Sequence, residues 1–324
     1  MGSSIARYLC QKFEVIVVDV KRPEDPNSGV TFRQCDVRSY QSVSAALRDT
    51  DLVIHTAIIQ IPQINERKKL GYEVNVEGTQ NVCKAVEENA NIKGMILAGT
   101  WHTIGERDIV GVVNEEFGLR PDKVEERAVI YALSKMAQES IVRLYDEMSE
   151  KIFGIIRMGT VLGEEMPRGT AASIFIEKGI KGENITPFRN SMYRPMLYVD
   201  IYDICRAYDV FVSKILSGEC EKKSNSAANI VNVYYPKPVT ILRLAEIVKN
   251  AIINGSCDEI TPQIEIVDSG LPSIFTENDI ERFKIDSRKA ENYLGLGKLS
   301  TPQESIDRIV KKRLGQYIKR PRQR

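Results

Sequence analysis

Histidine is scarce in this 324-residue sequence: only His55 and His102 occur, and neither stands at ligand spacing from a cysteine or from the other. That leaves no pattern for a structural zinc ion, and we expect no metal site. The six cysteines, Cys10, Cys35, Cys83, Cys205, Cys220 and Cys257, include no CxxC pair and mostly sit among apolar neighbours. They read as reduced thiols rather than a disulfide framework. The longest apolar runs are strand-length, such as Val15 to Val18, and the first residues lack the apolar stretch of a signal peptide. Neither sign of charge prevails, because 45 Lys+Arg against 44 Asp+Glu leave a formal net charge of +1. Such a balance sets up no field that would recruit nucleic acid or an anionic membrane. These absences together point to a cytoplasmic protein that works on a small molecule.

With 43% hydrophobic residues the chain can bury a sizeable core. Its first half alternates short β-branched runs with helical patterns. The runs are Glu14 to Asp19, Val30 to Gln34, Leu52 to His55, Gly94 to Ala98 and Phe153 to Arg157; the helical patterns are Ser3 to Lys12, Ser42 to Arg48, Tyr72 to Asn89 and Val129 to Ser149. This βα alternation predicts an α/β, Rossmann-like, doubly wound parallel sheet, with ligands at the carboxyl ends of its strands. After about residue 158 the alternation gives way to loops, an extended stretch from Met192 to Val199, a strand-like Asn229 to Tyr234 and a helix from Ile241 to Asn254. We read residues 1–165 as the dinucleotide-binding domain, with 197–236 returning to it. Residues 166–196 and 237–316 form a smaller α/β substrate lobe, and 317–324 a basic, solvated tail.

The sharpest chemical signal is Tyr131-Ala132-Leu133-Ser134-Lys135. Positions i and i+4 share a helix face, so phenol and ammonium can converge on one bound molecule. Lowering a tyrosine pKa from about 10 to about 7 takes roughly 4 kcal/mol of differential stabilisation of the phenolate. A nearby lysine and an oxidised nicotinamide ring are two cations able to supply it. Upstream, Thr100 closes the run Gly94 to Ala98 and its hydroxyl is a candidate partner for the reacting oxygen, with the capping of a turn as its alternative duty. Asp19 closes another run, where a carboxylate accepts from the adenosine ribose and repels a 2′-phosphate, favouring NAD over NADP. Lys21 and Arg22 nearby work against that preference.

Six segments in order resemble the extended short-chain dehydrogenases of the NAD-dependent epimerase/dehydratase group. Asp51 to Ala57 resembles the family's "DxVIHxAA", Asn75 to Val82 its "NVxGTxNV", and Thr100, five residues before Gly105, its catalytic serine or threonine. Tyr131 and Lys135 fall on YxxxK, Arg194 to Asp200 resembles "RDFVHVD", and Asp286 to Ala290 with Leu294 and Gly295 resembles "DxSKAxxxLG". The resemblance implies that Tyr131 is the general acid/base, that Lys135 lowers its pKa and holds the nicotinamide ribose, and that Thr100 orients the substrate hydroxyl. Hydride would pass between a carbinol carbon and the nicotinamide. The same resemblance implies cofactor contacts at Gly2, Asp19, Asp36, Val37, Thr56, Ala57 and Asn75, and a homodimer built on the helices around 72–89 and 129–149.

The sequence also departs from that pattern. It opens Met1-Gly2-Ser3-Ser4, which resembles the last glycine of the family's GxxGxxG turn. The strand before that turn is central in the family's sheet, so we expect a gap beside its neighbours here and an upstream in-frame extension that encodes it. Thr160 stands where nucleotide-sugar epimerases carry an asparagine, and no "RxGD" is recognisable in Ser273 to Ile285, so Arg194 remains as the diphosphate clamp. Pairing with a carboxylate is the competing duty for that arginine. Thr100-Trp101-His102 differs from the Thr-Asp-Glu of sugar dehydratases; Trp101 and His102 shape the substrate pocket in one reading, or fill the core and bond the backbone in the other. Three functions stay open: an epimerase or dehydrogenase of a nucleotide sugar, a reductase of a non-sugar carbonyl, and a Rossmann-like binding module without cofactor.

Overall fold

The computed structural model describes residues 1–22, 29–220, 225 and 227–318, so the tail from 319 onward lies outside the described residues. Helix α1 (Gly2–Leu9) opens the fold and buries Ile5 and Leu9, one turn apart. Strands β1 (Ile16–Asp19) and β2 (Thr31–Gln34) pair in parallel. Helix α2 (Tyr40–Ala46), capped by the Ser39 hydroxyl, leads to β3 (Leu52–His55). Short helices α3 (Gln63–Glu66) and α4 (Lys68–Tyr72) follow, and a π-helical turn over Glu73–Glu77 passes into α5 (Gly78–Glu88). The helix expected from Tyr72 to Asn89 is present, with a π-helical turn at the point where Asn75 turns inward.

Strand β4 (Gly94–Thr100) and, after β5 (Gly111–Val113) and α6 (Val129–Met148), strand β6 (Ile152–Met158) are buried along their whole lengths. That is the pattern of parallel strands covered on both faces, and it explains why their sequences do not alternate. At Gly94 the two backbones come so close that a Cβ would stand 2.3 Å from the Ile152 carbonyl oxygen. The chain continues through β7 (Thr160–Leu162), α7 (Ala171–Ile180), β8 (Pro195–Met196), β9 (Tyr198–Asp200) and α8 (Ile201–Ser217). It ends with β10 (Ile230–Val233), β11 (Val239–Thr240), α9 (Ile241–Gly255), β12 (Phe283–Ile285), α10 (Arg288–Leu294) and α11 (Pro302–Ile318).

The main sheet has the strand order β10-β6-β4-β3, all parallel, with crossover helices between successive strands. Among the described residues β1 pairs with β2 alone and β3 with β4 alone. A groove of about 710 Å³ runs between β1 and β3, walled by α1, Val15 to Asp19 and Asp51 to Ile58. The gap expected beside the opening residues is thus present. Helices α7, α9 and α11 form a second layer, yet one hydrophobic cluster runs from Ile96 and Ile156 of the sheet through Ile176 and Leu244 to Ile306. The smaller lobe therefore shares its core with the sheet.

Candidate active site

Strand β4 delivers Thr100 to the carboxyl edge of the sheet, where its side chain caps a 3₁₀ turn, Trp101–Ile104, by accepting from the His102 amide at 3.4 Å. Helix α6 passes this edge and puts Tyr131 in its first turn, where the phenol is hydrogen-bonded to Thr100. One turn later Lys135 is buried, and its ammonium donates to the Ala98 carbonyl at 2.6 Å and to Gln138 Oε1 at 2.7 Å. The three residues expected to form the catalytic set are therefore together, on two elements held by the core.

Burial governs the charges here. It pushes the Tyr131 phenol up to about 12, against the bond from Thr100 that works the other way. It brings the Lys135 ammonium down to about 7, opposed in part by the Glu139 carboxylate. A further cation beside the phenol is what this protein needs before Tyr131 can act as a base near neutrality. Behind Lys135 lies a relay that sequence reasoning missed. Gln138 Nε2 donates to Thr79 Oγ1 at 2.7 Å, Thr79 donates to the Asn75 carbonyl at 2.7 Å, and His55 Nε2 bonds Thr79 at 2.9 Å. Since Thr79 spends its one proton on Asn75, the ring nitrogen of His55 must be the donor. Burial drives that imidazole down to about 3, with Lys135 adding to the effect.

Trp101 is fully buried and donates its indole N–H to Thr160 Oγ1 at 3.2 Å. Its ring stacks on His102 at a centroid distance of 4.6 Å, and His102 meets the Tyr131 ring edge-on at 6.0 Å. His102 Nδ1 bonds Glu106, and Arg194 Nη2 donates to the other oxygen of that carboxylate at 2.5 Å. Arg194 Nε stands 3.0 Å from Glu125, which accepts from Arg127 at 2.8 Å. Arg194 is thus engaged by two buried carboxylates, the structural duty an arginine can have here, and not held free for an anion.

Five of the expected cofactor contacts, Gly2, Asp19, Val37, Thr56 and Ala57, line the gap between β1 and β3. Gly2 lies so near Thr56 that a Cβ would stand 3.0 Å from its hydroxyl, a tight contact that glycine avoids. Asp19 is exposed at its strand end and accepts from the Lys21 amide at 3.0 Å. Asp36 is bound by the Arg38 guanidinium at 2.6 Å, which holds its carboxyl below the usual range. Asn75 corrects the expectation drawn for it. Its side chain is fully buried, with Oδ1 accepting from Ile59 N at 2.7 Å and Nδ2 donating to Ile59 O and Ser134 Oγ. It can reach a ligand only through the loop after β3 that it holds.

The family model described as the NAD dependent epimerase/dehydratase family matches residues 1–227. The chain belongs to that family. The match covers strands β1 to β9 and the Thr100, Tyr131 and Lys135 constellation, and the chain is an NAD-dependent enzyme of the extended short-chain type. A putative UDP-glucose 4-epimerase of Methanocaldococcus jannaschii is 25% identical over 96% of this chain and 94% of its own. Cinnamoyl-CoA reductase 1 of Petunia hybrida is 27% identical over 64% of each chain. The crystal structure of a UDP-glucuronic acid 4-epimerase from Bacillus cereus, in complex with UDP-glucuronic acid and NAD, superposes with a TM-score of 0.74. That likeness spans 98% of this chain and 96% of the other at 18% identity, and it confirms the Rossmann-like fold. Among the described residues no helix is long and apolar enough to cross a membrane, and no group of three or more His, Cys, Asp or Glu could hold a metal ion.

Proposed function

We propose that the protein is an epimerase or dehydrogenase that transfers hydride at a carbinol carbon of a nucleotide sugar, with NAD as its cofactor. The observation that carries this reading is the convergence of Thr100, Tyr131 and Lys135 at the carboxyl edge of β4. NAD, when bound, supplies the hydride acceptor and a positive ring. Tyr131 removes the hydroxyl proton as the carbinol carbon loses hydride, and returns it in the reverse step. Thr100 holds the same oxygen through its hydroxyl. Lys135 sits one turn behind, placed to donate to the ribose and to favour the phenolate. Asp19 at its exposed strand end favours NAD over NADP, since a 2′-phosphate there would meet a carboxylate.

The nucleotide-sugar substrate is supported by the 25% identity to a UDP-glucose 4-epimerase over nearly the full length of both chains. A second reading, reduction of a non-sugar carbonyl, is favoured by one observation: Arg194, the diphosphate clamp expected from the sequence, is given to Glu106 and Glu125. The likeness to a cinnamoyl-CoA reductase agrees with it. A homodimer is supported by an apolar stripe on α6, where Leu133, Leu144 and Met148 are exposed on one face. Thermal shift separates the two substrate readings. Further stabilisation of the NAD-bound protein by UDP-glucose supports the first reading, whereas a response only to cinnamoyl-CoA with reduced cofactor replaces it with the second.

A further inference from the structure

His102 turns Nδ1 into Glu106, whose side chain has no exposure at all, while its own side chain keeps 20%. The two nitrogens of an imidazole point to opposite sides of the ring, so Nε2 is turned away from the buried carboxylate. Among the described residues the only hydrogen bond made by the ring is the one to Glu106. With Nδ1 committed to the Glu106 carboxylate, Nε2 is the ring nitrogen left for a ligand. Stacking on Trp101 and edge contact with Tyr131 hold the ring beside the catalytic tyrosine.

We propose that His102, oriented by Glu106, determines specificity. Its Nε2 accepts a hydrogen bond from a substrate hydroxyl on a carbon next to the one that Tyr131 and Thr100 handle. This rests on the sugar reading above and sharpens it. A ligand without a neighbouring hydroxyl would leave a desolvated acceptor unpaired, which costs far more than a missing apolar contact. The site then selects polyhydroxylated substrates over simple carbonyl compounds by a residue in this chain's own Thr100-Trp101-His102 turn.

Having only two histidines, the chain allows a direct test. Long-range ¹H–¹⁵N spectra resolve both rings, and His55 is told apart by its buried bond to Thr79. The Tyr131→Phe variant with NAD holds the substrate without turnover, and UDP-glucose is titrated into it with UDP as the control. We expect an Nδ1-protonated His102 whose Nε2 resonance shifts with UDP-glucose and stays in place with UDP. In the active protein His102→Phe keeps the stacking ring and loses the nitrogen, raising KM for UDP-glucose about tenfold with little change in kcat. His102→Gln, whose amide reaches near the Nε2 position, restores most of that loss. UDP-glucose that stabilises the protein while Nε2 stays unmoved overturns the proposal and leaves the sugar reading standing. Equal KM for the Phe and Gln variants also overturns it. No thermal response to UDP-glucose removes both the sugar reading and the role of His102.

Discussion

Replacing Arg194 by methionine tests whether this arginine is scaffold or clamp. The guanidinium is 4% exposed, 2.5 Å from Glu106 and 3.0 Å from Glu125, whose side chains are 0% and 8% exposed. Methionine fills similar length and strands the Glu106 carboxylate without a cation, while Glu125 keeps Arg127. Breaking a buried pair from one side costs about 3–5 kcal/mol. Unfolding entropy of about 2.1 cal/mol/K per residue gives roughly 0.7 kcal/mol/K for 324 residues, so the melting temperature should fall by about 4–7 °C. The deficit should shrink in acid, since burial and then the charge of Glu106 already raise the Glu125 carboxyl, which becomes neutral as pH falls. Glu106→Gln added to Arg194→Met should recover part of the loss. Differential scanning calorimetry between pH 4.5 and 8 reads all three effects. An unchanged melting temperature with a tenfold higher KM for UDP-glucose would refute the scaffold assignment and return Arg194 to the substrate.

Other expectations follow from the same charges. His55 stays neutral down to about 3 when folded and takes a proton near 6.5 when unfolded, so stability is lost as pH falls between those values; His55→Gln should flatten that part of the urea-unfolding profile. Lys135 titrates near 7 when folded against 10.5 unfolded, so stability falls as pH drops through that window, and Lys135→Met should abolish turnover and flatten that part of the stability profile. Asp19→Ala should narrow the preference for NAD over NADP, measured by the two dissociation constants. Leu144→Lys with Met148→Lys places charge on the exposed stripe of α6 and should give a monomer in sedimentation, with the melting temperature lowered in a concentration-dependent way.

Tyr131 and Lys135 were legible because a single helix carries both, one turn apart, and helix geometry alone brings them together. Gln138 stands at i+3 from Lys135 and was within reach of the same argument. Glu106 and Arg194 lie 88 residues apart, and no local pattern marks that pair. The three-residue strands β5 and β12 pair Gly111 with Phe283 and are too short for any periodicity to show. Asn75 teaches a different lesson: a motif names a residue but not the direction of its amide, which here is spent inside the wall of the groove. The sheet itself was readable from its β-branched runs, because strands covered on both faces need apolar side chains on both.

The proposed chemistry depends on the Tyr131 phenol moving the proton of the reacting hydroxyl. Its direct test is Tyr131→Phe, with NAD affinity measured by calorimetry and turnover of UDP-glucose followed by rapid-quench kinetics. Positioned acid–base catalysis contributes about 10² to 10⁴-fold, so kcat should fall by that factor while the NAD dissociation constant stays within about twofold. Turnover within a few-fold of the parent protein, with the phenol gone, would contradict the account.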